Sequence, residues 1–232
     1  MAACRFIFFD VGNTLLFPNR ARILAPLLEH HREPTPEQWL AVERRTKPEF
    51  DKIVEKGGSI DHGFWWLFYT HLLEELDLAP GHNAENELRD ALVQNTRQSA
   101  NWDQILPGTC DALHRIGCDR EIAVISNADG RIEEVLRRCG IAECFRTITD
   151  SGIVGHEKPH PAIFEAALRA MQAQPAESLY VGDVYSVDYL GSRNAGMQAV
   201  LFDVAGAYQN RDLPRVDSLQ ALEAWLKLPG KS

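Results

Sequence analysis

Three aspartates, one lysine and a serine–asparagine pair could work together if the fold brings them to one place. Asp10 closes the apolar run of residues 6–9 and opens the turn Asp10-Val11-Gly12-Asn13-Thr14. Ser126-Asn127 ends a second apolar run, and Lys158 sits in Glu157-Lys158-Pro159-His160-Pro161. Asp183 and Asp188 share the stretch 182–191. The three carboxylates offer oxygen to a hard cation, and Mg²⁺ usually takes one or two carboxylates, keeping water and substrate oxygens for its other positions. Ser126 can donate to an anionic oxygen, and Lys158 can neutralise charge on it. Each has a plainer reading alone, Asp10 as a helix N-cap or turn residue among them. A carboxylate at the buried end of a strand, however, is costly without a metal, a cation or hydrogen-bond donors.

The elements that must position these groups follow from the apolar pattern. Residues 6–10 form a short apolar block stopped by a sharp turn, as in a strand buried on both faces. From Pro107-Gly108 onward strands and helices alternate: helix 109–116 ended by Gly117, strand 121–126, helix 130–139 stopped by Gly140, strand 146–149, helix 161–173, strand 178–182, helix 189–195, strand 198–202 and helix 218–226. Such alternation predicts βαβ units and a doubly wound parallel α/β sheet. Asp10, Ser126 and Asp183 then fall at carboxyl ends of strands, where open α/β sheets place ligands.

Residues 17–104 differ. Segments 20–32, 37–56, 63–76 and 84–99 carry helical spacing or strong helix formers, with Pro48 expected to kink or split the second. Gly57-Gly58-Ser59 and Ala79-Pro80-Gly81 read as loops. The chain thus divides into an α/β core of residues 1–16 and 105–232 and an inserted α-helical domain of 17–104. Insertions at the carboxyl ends of strands stand over the site and can act as lids.

Composition limits the partners. Of 232 residues 45% are hydrophobic and 25% charged, which suits a globular chain, and the formal net charge of −9 argues against sequence-independent nucleic-acid binding. No stretch reaches the roughly 18 apolar residues of a membrane span. Five scattered cysteines without a C-x-x-C pair suggest reduced thiols and a cytoplasmic location.

These motifs, taken in order, resemble those of the haloacid dehalogenase-like hydrolase superfamily, in its subclass with a helical cap inserted after the first motif. Asp10-Val-Gly-Asn-Thr14 resembles the first motif, Ser126-Asn127 the second, Lys158 the third, and 182–191 the fourth. The resemblance implies a Rossmann-like core and a Mg²⁺-dependent phosphatase acting on a small phosphorylated metabolite. It implies that Asp10 is the nucleophile that forms an aspartyl-phosphate, with Ser126 and Lys158 as catalytic partners. Asn13, Thr14 and Asn127 would bind substrate. Asp10, Asp183 and the Gly12 carbonyl would ligate Mg²⁺, with Asp188 orienting ligands or waters.

Gly12 departs from the pattern. Family phosphatases usually carry there a second aspartate that protonates the leaving oxygen, although some read Asp-x-Gly-Asn. A general acid–base contributes roughly 10²–10⁴ in rate, about 3–5 kcal/mol. Two other readings stay open on this ground: a 2-haloacid dehalogenase, whose halide leaving group needs no proton, and a non-catalytic binding protein. Elsewhere the plainer readings stand first. Phe64-Trp65-Trp66, Phe68 and Tyr69 read as helical-domain core, with substrate contact second. His30 and His31 read as solvent-facing, and His156 and His160 as loop or packing residues that could tune the pocket. Trp102 reads as packing at the return hinge, with Asn19 or Arg20 as possible substrate contacts where the insertion begins.

Overall fold

Phe6–Phe9 forms strand β1, every side chain of which is buried. Its alternate residues feed two different cores, as the period-two geometry of a strand requires. Ile7 and Phe9 pack on one face of the sheet, and Phe6 and Phe8 on the other. The computed structural model describes residues 4–28, 31–56, 63–78 and 84–228.

After β1 come β2 (Leu16–Phe17), α1 (Arg20–Ile23), α2 (Ala25–Leu28), α3 (Pro36–Glu55), α4 (Gly63–Glu75), α5 (Ala84–Arg97) and β3 (Gln104–Ile105). The chain continues through α6 (Thr109–Asp119), β4 (Glu121–Ser126), α7 (Ile132–Arg138), β5 (Thr147–Asp150), α8 (Ser151–Val154), α9 (Pro161–Met171) and β6 (Ser178–Gly182). It ends with α10 (Leu190–Asn194), β7 (Gln198–Phe202), β8 (Arg215–Val216) and α11 (Leu219–Leu226).

Six strands form one parallel sheet in the order β5-β4-β1-β6-β7-β8. β1 is hydrogen-bonded to β4 on one side and β6 on the other, so the strand order reverses beside it. That reversal opens a crevice at the carboxyl ends of β1, β4 and β6. One core, built on α6, α7 and α11, holds Val124, Val181, Val200 and Phe202 on one face of the sheet. The other, built on α9, holds Ile125, Tyr180, Phe164 and Ala167. A Rossmann-like α/β core therefore carries a helical cap, whose own core gathers Ile23, Leu27, Trp39, Val42, Phe68, Tyr69, Leu72 and Leu92. Among the described residues no helix is long and apolar enough to cross a membrane.

Several local expectations are corrected. The helix expected over 20–32 is two short ones, α1 and α2, because Pro26 removes an N–H that a continuous helix needs. Pro48 does not split α3, which runs unbroken for 20 residues. A Thr35–Gln38 capping box fixes its start, and its buried residues anchor it on both sides of the proline: Trp39 and Val42 before it, Phe50 and Asp51 after it. α6 passes through Gly117 to Asp119, since a helical glycine costs only about 1 kcal/mol against alanine. The helix expected over 189–195 is α10, Leu190–Asn194, and what was not expected is the wide turn, Tyr185–Tyr189, that leads into it. Where no strand was expected, β2 and β3 form a small antiparallel ribbon at the two crossings between core and cap. Gly57-Gly58-Ser59, Ala79-Pro80-Gly81 and His30 lie outside the described residues.

Candidate active site

Asp10 follows β1, Ser126 ends β4, and Asp183 follows β6, so three neighbouring strands deliver three polar groups to one crevice. Lys158 joins them from the loop before α9. Its Nζ donates to Asp10 Oδ1 at 2.6 Å, to Asp188 Oδ1 at 2.9 Å and to the Tyr180 hydroxyl at 2.7 Å. The ammonium is thus saturated, and it ties two acidic groups to one fixed point. The other Asp10 oxygen has no hydrogen bond among the described residues, and Asp10 borders a cavity of about 720 Å³ between core and cap. A second cavity, about 770 Å³, lies by β8 and α11, away from these strand ends.

Asp188 is held on every side. Its Oδ1 accepts from Lys158 and from Tyr180 Oη at 3.1 Å, and its Oδ2 accepts the backbone N–H groups of Asp183 at 3.1 Å and Val184 at 2.9 Å. Such a carboxylate locks the loop after β6. Gly182 makes this possible, since a Cβ there would stand 2.5 Å from Asp188 Cγ. Asp183 takes a different partner: Lys47 Nζ, from α3 of the cap, lies 3.0 Å from its Oδ2 and 2.5 Å from Glu43 Oε1.

The remaining expected residues divide. Ser126, Gly12 and Asn13 line the cavity, Asn13 in the left-handed region at φ 52° that asparagine tolerates. Asn127 also lines it, but its amide is engaged twice by the Lys158 backbone, accepting from Lys158 N at 2.7 Å and donating to Lys158 O at 3.0 Å. It fixes the lysine loop. Thr14 is buried and is not among the residues that line the cavity, and its Oγ1 has no hydrogen-bond partner among the described residues. Asn19 caps α1 and donates to Asp103, while Arg20 stacks on Trp39; neither borders the cavity. His156 and His160 stack on each other at the surface. Of the aromatics, Phe68 and Tyr69 belong to the cap core, whereas Phe64, Trp65 and Trp102 face the cavity.

Burial sets the electrostatics. It raises the Asp10 carboxyl to about 7, against the pull of Lys158 and with a further push from Asp188 and Asp183. It raises Asp183 to about 6, opposed by Lys47 and reinforced by Asp188 and Glu43. For Lys158 burial acts downward, yet Asp10 and Asp188 outweigh it and hold the lysine charged. These carboxyls are short of positive charge. One oxygen from each of Asp10, Asp183 and Asp188 lies within 4.8 Å of the others. Asp10, Asp183, Asp188 and Glu43 outnumber the buried lysines Lys158 and Lys47 that face them, and that surplus of carboxylates suits a divalent cation.

Tyr180, Lys47 and Glu43 join this site unannounced by sequence. Tyr180 hides in an apolar strand, and the two cap residues hide in a charged helical segment.

The match to the family of haloacid dehalogenase-like hydrolases covers residues 4–196. The chain is 38% identical over 225 residues to a glyceraldehyde 3-phosphate phosphatase of Pyrococcus furiosus, covering 92% of this chain and 86% of the relative. It is 30% identical over 216 residues to a haloacid dehalogenase-like hydrolase domain-containing protein 3 of Bos taurus, covering 87% and 82%. Among solved structures, a HAD-hydrolase of Bacillus subtilis bound to magnesium superposes with a TM-score of 0.71 at 17% identity, covering 97% of this chain and all of that one.

Proposed function

The chain belongs to the haloacid dehalogenase-like hydrolases, and we propose that it is a divalent-cation-dependent phosphatase that hydrolyses a small phosphorylated metabolite through an aspartyl-phosphate on Asp10. The observation that carries this reading is the geometry of Asp10, which lines the cavity with one oxygen held by Lys158 at 2.6 Å and the other without a hydrogen bond among the described residues. The phosphatase relatives support the substrate class.

The free oxygen of Asp10 attacks phosphorus, the bond to the ester oxygen breaks, and the electron pair leaves with that oxygen. Lys158 favours the ionised form of Asp10 against its burial and offsets charge on the transferring group, while Ser126 donates to one of its oxygens. Water then attacks the same phosphorus, releasing inorganic phosphate and the Asp10 carboxylate. Asn13 and Thr14 shape the turn beneath the phosphoryl group, and Asn127 acts through the Lys158 backbone. Asp10, the Gly12 carbonyl and Asp183 would hold Mg²⁺, with Asp188 fixing the loop that carries Asp183. When bound, the cation supplies Lewis-acid stabilisation of the phosphoryl oxygens. Residues 17–104 serve as the cap, residues 1–16 and 105–232 as the core, and the five free thiols agree with a cytoplasmic location.

A screen of phosphate esters with Mg²⁺ tests this. Turnover should vanish in Asp10→Asn and on exhaustive chelation, and activity that survives either would sink the mechanism. Gly12 also suits a halide leaving group, so 2-chloro acids belong in the screen. The three clustered carboxylates favour the phosphatase, because their charge calls for a cation that carboxylate attack on carbon does not need.

A further inference from the structure

Lys47 is only 1% exposed, although it lies in the charged segment Glu43-Arg44-Arg45-Thr46-Lys47 of α3. A buried ammonium needs partners, and this one has two carboxylates: Glu43 Oε1 at 2.5 Å, one helical turn back on α3, and Asp183 Oδ2 at 3.0 Å, across the boundary between cap and core. The same helix reaches the same loop again one turn on, where Asp51 Oδ1 accepts the Ser186 N–H at 2.9 Å. So α3 rests on the loop that carries Asp183, and its lysine binds a group that the proposed reaction needs for its cation.

We propose that Lys47 is a cap-borne positioning residue of this site, a counter-ion that holds Asp183 until Asp183 takes a divalent cation and then rests on Glu43. The inference depends on Asp183 being a metal ligand, as in the proposed function. Two features make the exchange workable. Glu43 shares the helix of Lys47 and stays beside it whatever Asp183 does, so the lysine is never left as a buried charge without a partner. Asp188 fixes the loop independently of Lys47, so Asp183 can change partners without the loop collapsing. Lys47 and the cation then compete for one carboxylate, and by linkage whatever strengthens one contact weakens the other.

Calorimetric titration of Mg²⁺ into the metal-free full-length protein tests this. Lys47→Met should bind Mg²⁺ about tenfold tighter or more, since a charge a few ångströms from the ligand oxygen has been removed. Glu43→Gln should bind several-fold more weakly, because Lys47 loses its resting partner and clings to Asp183. In Lys47→Met/Glu43→Gln the weakening should disappear, since Glu43 acts through the lysine. A residue that merely packs the cap would not give opposite signs at these two positions. Unchanged or weaker binding in Lys47→Met overturns the inference, as does a Glu43→Gln effect that persists undiminished in the double variant. If Lys47→Met does not fold, Lys47→Gln takes its place in the single and double variants: tighter binding alone and a Glu43→Gln effect that disappears with it support the exchange, and any other pattern overturns it. Wild-type protein that binds no Mg²⁺ would overturn the metal reading of the site and this inference with it. Wild-type binding that neither substitution moves overturns this inference only.

Discussion

The ring of Trp102 lies against Gly12, so that a Cβ built on the glycine would stand 3.3 Å from Trp102 Cζ3. The indole is held in place by its Nε1–H, which donates to Thr96 O at 2.7 Å, and by Trp65 at 5.4 Å between ring centroids. Gly12 is not in the left-handed region of backbone space, so what restricts a side chain there is this ring and not the turn itself. The place where a family phosphatase would put its proton donor is walled by an aromatic residue of the return hinge.

Gly12→Asp should therefore not restore a general acid. The added side chain overpacks against Trp102 and sets a carboxylate against an apolar ring, at a cost of about 1–3 kcal/mol. Urea denaturation should show the loss, and Gly12→Asp/Trp102→Leu should be less destabilised than the sum of the two single variants. Additive losses would mean that the ring is not what limits the position.

Lys158→Met should lower kcat/KM by about a hundredfold or more, because the ammonium offsets charge on Asp10 and on the transferring group. Lys158 also opposes the burial that raises the Asp10 carboxyl to about 7. Its loss should push that carboxyl higher and leave less nucleophile ionised at neutral pH. The acid limb of the pH–rate profile should move to higher pH. A residual activity with an unmoved profile would show that Lys158 does not act on Asp10.

His71 gives the cap a pH dependence. The ring is buried in α4, with Nδ1 2.8 Å from Thr46 Oγ1 and Nε2 3.4 Å from Glu49. Burial and then Arg45 hold its pKa below the usual 6.5, against the opposing pull of Glu49 and Glu74. A depressed folded pKa means that its stabilising contribution is present above the unfolded pKa and is lost as pH falls through the folded one. Thermal melts should fall as pH drops through and below the ordinary histidine range, and His71→Leu should flatten that slope. Equal slopes in the two proteins would remove His71 as the cause.

How far the sequence reveals this site depends on what each residue's neighbours say about its burial. Asp10, Ser126 and Asp183 each end an apolar run, and a buried strand that stops at a polar residue leaves that residue at the sheet's rim. The sheet and its ligand-bearing edge were legible for that reason. Lys47 was not, because Arg44, Arg45 and Glu49 around it describe a solvated helix face, and only the docking of α3 on the loop after β6 buries it. Tyr180 was hidden inside an apolar strand, where its ring reads as core and its hydroxyl carries no sequence signal. The ribbon of β2 and β3 is two residues on each side, too short for any periodicity to show. The resemblance implies Asn127 as a substrate contact, and what the sequence does not show is that its amide is engaged by the backbone of Lys158 across 31 positions of sequence.

The absence of a proton donor at Gly12 carries a kinetic consequence for the proposed reaction. Without a general acid the leaving oxygen departs with more negative charge, so the rate should depend steeply on leaving-group acidity. Two effects compete. The missing acid costs roughly 10²–10⁴ in rate, whereas Lys158 and a bound cation continue to stabilise charge on the phosphoryl group. That stabilisation acts on the transferring oxygens, whereas the charge that lacks a proton builds on the departing one, so it suffices for good leaving groups only. Acyl, aryl and anomeric sugar phosphates should be hydrolysed far faster than simple alkyl phosphates. The measurement is a plot of log kcat/KM against leaving-group pKa, taken where chemistry limits the rate. The expected slope is steep and negative in the wild type. Glu157 and Asp129 also line the cavity, the second with both oxygens already accepting from Ser99. A flat plot would show that such a group protonates the leaving oxygen, and Glu157→Gln and Asp129→Asn would then identify it by restoring the slope.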